Sequence, residues 1–254
     1  MTPDLLRVAV RVPAEEREQA IAVLLGLAPE GFEEADRAGQ IEFGVYTDAA
    51  GESQLQAAFE VVESTPVASG WEDGWRAFHR PVTVGGLWIG PPWVEPPRGA
   101  LTVVIDPGRA FGTGSHPTTR LCVELLAAVP RGSLVDVGCG SGVLAIAASR
   151  LGYGPIVAID DDPVAIEVTL ANALANGIEL EARVVDALSE QVPAADVAVT
   201  NVLLAPVESI IARLSVTTVL TSGYLEGEVP VHAGWTRTST VTLDGWAADR
   251  FDRV

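Results

Sequence analysis

A glycine-rich turn lies between an apolar run and a helical segment near the middle of the 254-residue sequence. Gly138, Gly140 and Gly142 follow the run 134–137 directly, within the string LVDVGCGSGVLAIAA. Glycine lets the backbone approach a ligand closely, and the start of a helix offers N–H groups that have no partner within the helix. The third glycine comes one residue earlier than in the G-x-G-x-x-G fingerprint of dinucleotide sites. The string therefore predicts a cofactor turn and disfavours a nicotinamide site, with a purely structural tight turn as the alternative.

Three aspartates lie at the ends of apolar runs around this turn. Asp136, just before it, can accept hydrogen bonds from the loop or from a cationic amine. Asp160 ends the run IVAID about twenty residues later, where open α/β sheets bind ligands, and its carboxylate can accept hydrogen bonds from both hydroxyls of a ribose. Asp186 follows the run EARVV; it either contacts an adenine ring or is an ordinary loop aspartate.

Alternating strands and helices must position these residues. From Leu101 onward, continuous apolar strand runs alternate with helical segments, which predicts an α/β domain over residues 100–254 with a parallel sheet covered on both faces. The last two runs, WTRTSTVTL and WAADRF, predict an antiparallel hairpin at one edge of that sheet.

The first part of the chain has a different pattern. Residues 1–68 follow the order strand-helix-strand-strand-helix-strand, which is the split βαβ, ferredoxin-like pattern of a small α+β domain. Residues 69–99 are rich in proline and glycine and predict a connector. This connector contains four tryptophans, which we expect to pack at a domain junction rather than to line a substrate cleft: Trp71, Trp75, Trp88 and Trp93.

Composition limits the class of partner. The formal net charge is −18 and the chain contains no lysine, so we expect no direct binding of nucleic acid. The charge suits a basic protein partner, although an acidic composition shared by the whole proteome is the alternative.

The chain lacks a long apolar run and a signal-peptide start, so we expect a cytoplasmic protein without membrane segments. Cys122 and Cys139 show no metal-ligand spacing, and no sequence feature indicates an oligomer, so we expect a monomer without metal.

A longer set of strings carries a family resemblance. DPGRAFGTGSHPTTRLC, VDVGCGSGVLAIAASRLG, AIDDDPVAI and NALANG resemble the ribosomal protein L11 methyltransferase family (PrmA), within the class I S-adenosylmethionine-dependent methyltransferases. The likeness covers residues 70–205 well, whereas the N-terminal domain agrees by pattern only. It implies a Rossmann-like catalytic domain with a mostly parallel seven-stranded sheet, preceded by a substrate-recognition domain. It also implies S-adenosylmethionine as cofactor and methyl transfer to amino groups of ribosomal protein L11, on lysine side chains or at the N-terminus.

The resemblance also places the site. It implies cofactor contacts at Thr119, on the methionine portion or the loop over it, at Gly138 in the turn, at Asp160 on the ribose and at Asn201. From their own positions in the sequence, Phe111, Gly140 and Asp186 are further predicted cofactor contacts.

Asn201 is the predicted catalytic residue, because it ends the strand run DVAVTN where the transferred methyl group should lie; a strand-end asparagine that makes a turn is the alternative. Its side-chain carbonyl, with a backbone carbonyl near Val202, would hold a neutral amine in line for transfer, and water would remove the proton. His116 is expected to be structural rather than a general base. Two alternatives stay open. The first is transfer to another protein or a small amine. The second is cofactor binding without turnover, which is suggested by the region after RLSVTTVLTSGYLEGE, since it is shorter than in the family.

Overall fold

The computed structural model describes residues 6–28, 32–37, 39–60, 62–67, 79–106 and 112–254. The chain divides into two compact units, Met1–Phe78 and His79–Val254. Within the described residues no helix is both long and apolar enough to cross a membrane. Of the residues discussed above, Trp71, Trp75 and Phe111 lie outside the described residues.

The first unit is an antiparallel sheet with two helices. Its described elements are β1 (Leu6–Pro13), a 3-10 turn (Ala14–Glu16), α1 (Arg17–Leu27), β2 (Phe32–Arg37), β3 (Gln40–Thr47), α2 (Ala49–Ala58) and β4 (Val62–Pro66). This is the element order predicted for residues 1–68. The strands pair in the order β2-β3-β1-β4, and alternate residues such as Val8, Val10 and Phe43 are fully buried. The period of two thus buries one face of the sheet and leaves the charged residues on the other face.

A small sheet begins the second unit. It consists of β5 (Val82–Val84), β6 (Leu87–Gly90) and β7 (Leu101–Val104); β5 pairs antiparallel with β6, and β6 pairs parallel with β7. Residues 79–99, predicted as part of a connector, therefore contribute two strands to this unit. Trp88 is buried there, and the Trp93 ring lies edge-on to the ring of His79, with centroids 6.2 Å apart.

The main sheet of the second unit combines seven of the described strands. They are β8 (Leu134–Val137), β9 (Ile156–Asp160), β10 (Glu181–Val184), β11 (Val197–Asn201), β12 (Thr218–Leu225), β13 (Trp235–Leu243) and β14 (Trp246–Arg253), in the order β10-β9-β8-β11-β12-β14-β13. The first five in that order run parallel, and β14 pairs antiparallel with both β12 and β13. The predicted α/β class and the antiparallel edge hairpin are both confirmed.

Four helices pack on this sheet within the described residues. They are α3 (Pro117–Ala128), α4 (Val143–Arg150), α5 (Pro163–Ala175) and α6 (Leu204–Ile211). α3 packs on β12 and β14, and α6 covers part of the opposite face through Val207 and Ile211. α3 and α5 begin with proline at the first helical position, where its missing N–H has no cost.

Candidate functional site

The glycine-rich turn joins β8 to α4 as predicted. Gly138, Gly140 and Gly142 all have positive φ angles, of 73°, 53° and 79°. The amide of Gly138 donates to the carbonyl of Ile159 at 2.9 Å, which anchors the turn to the end of β9. Gly142 is the N-cap of α4 and provides no side-chain cap; the Ala145 amide in the first turn is capped instead by Asp136.

Asp136 is a fully buried carboxylate at the base of this turn. Its Oδ2 accepts a hydrogen bond from the Ala145 amide at 3.0 Å, whereas its buried Oδ1 has no hydrogen-bond partner among the residues that the structure describes. Burial raises the pKa of Asp136 to about 7; within that shift the hydrogen bond from Ala145 opposes the effect of burial and the nearby negative charge of Asp160 adds to it. An incompletely satisfied buried carboxylate is costly in the folded protein, which is typical of a site whose partner is a ligand.

Asp160 ends β9 and contacts the turn directly. Its Oδ2 accepts from the Gly140 amide at 2.9 Å, and its Oδ1 accepts from the Asp162 amide at 3.1 Å. Burial raises the pKa of this carboxyl above its usual range. Each oxygen has one donor among the residues that the structure describes, so lone pairs remain on both for further hydrogen bonds. Two predicted cofactor residues, Gly140 and Asp160, are therefore in direct contact.

Thr119 and Asn201 also come together, although 82 positions separate them in the chain. The Asn201 side-chain nitrogen donates to the Thr119 hydroxyl at 3.3 Å. Asn201 is the last residue of β11, and Thr119 is fully buried in the first turn of α3. His116 is the N-cap of that helix: its Nδ1 contacts the Thr118 amide and hydroxyl, and its ring lies edge-on to Trp246. These contacts agree with a structural role for His116.

Asp186 has a different environment from the other predicted site residues. Its Oδ1 accepts from the Leu188 amide at 2.9 Å and its Oδ2 accepts from the Ser189 hydroxyl at 2.6 Å. The hydrogen bond from Ser189 lowers the pKa of Asp186 below its usual range. Both oxygens thus bond within their own turn, as an ordinary loop aspartate does, and the adenine contact stays a prediction.

Sequence reasoning did not identify a buried asparagine that ties the turn to β7. Asn172, on α5, donates from Nδ2 to the Ser141 carbonyl at 2.9 Å and accepts at Oδ1 from the Asp106 amide at 3.0 Å. Ser141 is itself fully buried, and its hydroxyl donates to the Gly112 carbonyl. A usable signal was the pair of asparagines four positions apart, Asn172 in α5 and Asn176 at its C-cap, in a mostly apolar segment. Asn176 similarly bonds both backbone groups of Val104.

Comparison with known proteins supplies independent findings. The family model described as "Ribosomal protein L11 methyltransferase (PrmA)" matches residues 13–229. A relative with that name from Myxococcus xanthus is 36% identical over 203 residues, which cover 70% of each chain. Another from Symbiobacterium thermophilum is 42% identical over 146 residues, covering 56% of this chain and about half (48%) of the relative. A solved structure of ribosomal protein L11 methylase from Lactobacillus delbrueckii subsp. bulgaricus is 26% identical, with a TM-score of 0.60, covering 66% of this chain and 95% of that one.

Proposed function

The chain belongs to the ribosomal protein L11 methyltransferase family, and we propose that it transfers methyl groups from S-adenosylmethionine to amino groups of ribosomal protein L11. The acceptors in this proposal are lysine side chains, the N-terminal amine, or both. The observation that carries the proposal is the pairing of Asn201 with Thr119 at 3.3 Å, on the strand next to the one that ends in the glycine turn.

The residues around the turn fit the cofactor. When bound, S-adenosylmethionine supplies an electrophilic methyl group. The remaining lone pairs of Asp160 suit two ribose hydroxyls, and the turn at Gly138 and Gly140 lets the backbone approach closely. The Oδ1 of Asp136, which has no partner in the described part of the chain, offers a negative charge to the cationic amine of the methionine portion. Phe111 and Asp186 complete the proposed cofactor contacts.

Asn201 holds the acceptor amine in this proposal. A lysine amine has a reference pKa near 10.4 and must lose a proton before it can attack, and desolvation in a cleft favours that neutral form. Because the Asn201 nitrogen donates to Thr119, its side-chain oxygen is left to accept an N–H of the acceptor. The backbone carbonyl of Val202 accepts a second N–H, so the amine lone pair is aimed at the methyl group. Asparagine cannot take the proton, which passes to water.

The remaining parts of the proposal concern recognition and setting. Residues 1–68 act as a ferredoxin-like substrate-recognition domain and residues 100–254 as the catalytic domain. Residues 69–99 join the two along the chain, and 79–99 belong to the second unit. The second domain has the mostly parallel seven-stranded sheet of class I methyltransferases. The enzyme acts as a cytoplasmic monomer. Its net charge of −18 favours a basic protein substrate and disfavours direct binding to nucleic acid or to an anionic membrane.

The test is intact-mass analysis of ribosomal protein L11 after incubation with the purified protein and methyl-labelled S-adenosylmethionine. We expect mass gains in steps of one methyl group. Asn201→Ala should reduce the rate at least about 100-fold, since the acceptor loses its positioning group. Ser209→Ala, which alters an exposed hydroxyl on α6, is the control and should retain the rate. If the wild-type protein binds the cofactor but transfers no methyl group to ribosomal protein L11, this substrate is excluded.

A further inference from the structure

Val202, which follows Asn201, lies against two glycines, Gly223 in β12 and Gly138 in the turn after β8. A Cβ atom added to Gly223 of β12 would lie 2.0 Å from the Val202 carbonyl oxygen and 2.6 Å from its carbonyl carbon. A Cβ atom added to Gly138 would lie 2.7 Å from the Val202 Cγ1 atom. The Val202 backbone therefore packs against one glycine and its side chain packs against the other.

The sheet explains why these three residues meet. β11 lies between β8, which leads into Gly138, and β12, which contains Gly223. Asn201 pairs with Ser222, so Val202 leaves the sheet beside Gly223. The pairing of β12 with β14 shifts between Ser222 and Tyr224, and Gly223 is the extra residue of that bulge, with a φ angle of 107°. Bulges redirect the local backbone, and this one presents a Cα without a side chain to the Val202 peptide.

We propose that Gly223 is a positioning residue for methyl transfer, which acts with Gly138 to set the Val202 peptide. This inference rests on the proposed function, in which the Val202 carbonyl and the Asn201 side chain hold the acceptor amine. Because Gly223 has no Cβ atom, the Val202 carbonyl can lie against β12. Because Gly138 has none, the Val202 side chain can lie against the cofactor turn. The acceptor-holding peptide is thereby placed relative to the turn that holds the cofactor.

The expected effect follows from the distance. A carbon atom and a carbonyl oxygen need roughly 3.3 Å between them, whereas the added Cβ at Gly223 would be at 2.0 Å. The Val202 peptide must therefore move by about 1 Å in a Gly223→Ala variant. A displacement of that size between reacting groups lowers turnover by about 100-fold.

The main test compares Gly223→Ala with Gly227→Ala. Gly227 also has a positive φ angle, 95°, but an added Cβ there would meet no atom within 4 Å, so this control carries the backbone strain without the contact. For Gly223→Ala we expect kcat on ribosomal protein L11 to fall about 100-fold, while KM and the Kd for S-adenosylmethionine stay close to those of Gly227→Ala. Equal kcat in the two variants, or a loss confined to cofactor affinity, would overturn the inference.

A second pair of variants tests the side-chain half of the contact and serves if Gly223→Ala does not fold. Gly138→Ala should lower kcat. The double variant Gly138→Ala with Val202→Ala lacks the Cγ1 atom that the new Cβ would contact, so its kcat should be at least about tenfold higher than that of Gly138→Ala alone. If the double variant has the same kcat as Gly138→Ala, the proposed packing of Val202 against Gly138 is contradicted. Absence of transfer by the wild type and by Gly227→Ala alike would instead refute the proposed function, so the two failures are distinguishable.

Discussion

Replacing Asp136 by asparagine should stabilise the cofactor-free protein while it weakens cofactor binding. The carboxylate is fully buried, accepts one hydrogen bond from Ala145, and has one oxygen without a partner among the described residues. Asparagine has nearly the same shape and can keep the bond from Ala145, but it cannot ionise. Loss of the charge removes a penalty in the folded state and also removes the proposed partner of the cofactor's amine.

The magnitude follows from the pKa of Asp136, which burial raises from 3.8 to about 7. Between those two values the folded state holds a proton that the unfolded state releases, so stability falls as pH rises from about 4 to about 7. At about 1.4 kcal/mol per unit, ionised Asp136 destabilises the fold by about 4 kcal/mol above pH 7. The asparagine N–H₂ group placed at the unpartnered position costs about 1–3 kcal/mol. Asp136→Asn should therefore raise the free energy of unfolding by about 1–3 kcal/mol at pH 8.

The sign of the effect should change with pH. Near pH 4 the wild-type carboxyl is protonated when folded and already neutral, so asparagine brings no gain and its unpartnered N–H₂ group makes the variant equal or less stable. Urea unfolding at pH 4 and pH 8 measures both differences, with Asp244→Asn, at an exposed turn, as the control for net charge. Titration calorimetry at pH 8 should show weaker binding of S-adenosylmethionine to Asp136→Asn. A stability difference that does not vary with pH would refute the reasoning.

Two further changes test buried polar contacts. Asn172→Ala should lower the free energy of unfolding by about 2–3 kcal/mol, because the buried Ser141 carbonyl and the Asp106 amide both lose a partner; urea unfolding measures it, and a change below about 0.5 kcal/mol would contradict it. Tyr224→Phe should cost about 2 kcal/mol, because the Tyr224 hydroxyl donates at 2.9 Å to the buried carboxylate of Asp249; a thermal midpoint equal to that of the wild type would exclude this.

Sequence reasoning found the parts of the site that depend on local pattern. The glycine turn after β8, the carboxylate of Asp160 at the end of β9 and the alternation of strands and helices all appear as short strings with a physical period. The meeting of Thr119 with Asn201 was not visible as a spacing. The family resemblance implied a cofactor contact at each residue but not a contact between them, and the structure shows that contact at 3.3 Å.

What the sequence did not reveal depends on contacts across strands. Asn172 is one of several polar residues on a mostly apolar helix, and only the fold shows that its partners are Asp106 and Ser141. The bulge at Gly223 depends on the register between β12 and β14, which a glycine in a strand run does not specify. α6 (Leu204–Ile211) was not predicted, because its eight residues directly continue an apolar strand segment, and so short a run shows no clear period.

In the proposed function, each strand end along one edge of the sheet has a separate task. β9 ends at Asp160, β8 leads to Gly138, β11 ends at Asn201, and β12 carries Gly223, and these four strands are consecutive neighbours in the sheet. The carboxyl ends of parallel strands lie on the same edge, so groups far apart in the chain become adjacent there. Changes at the β9 end should therefore act mainly on cofactor affinity, and changes at the β12 bulge mainly on turnover. Gly138 and Val202 are in contact between the cofactor turn and the acceptor-holding peptide, so substitutions there should alter cofactor affinity and turnover together.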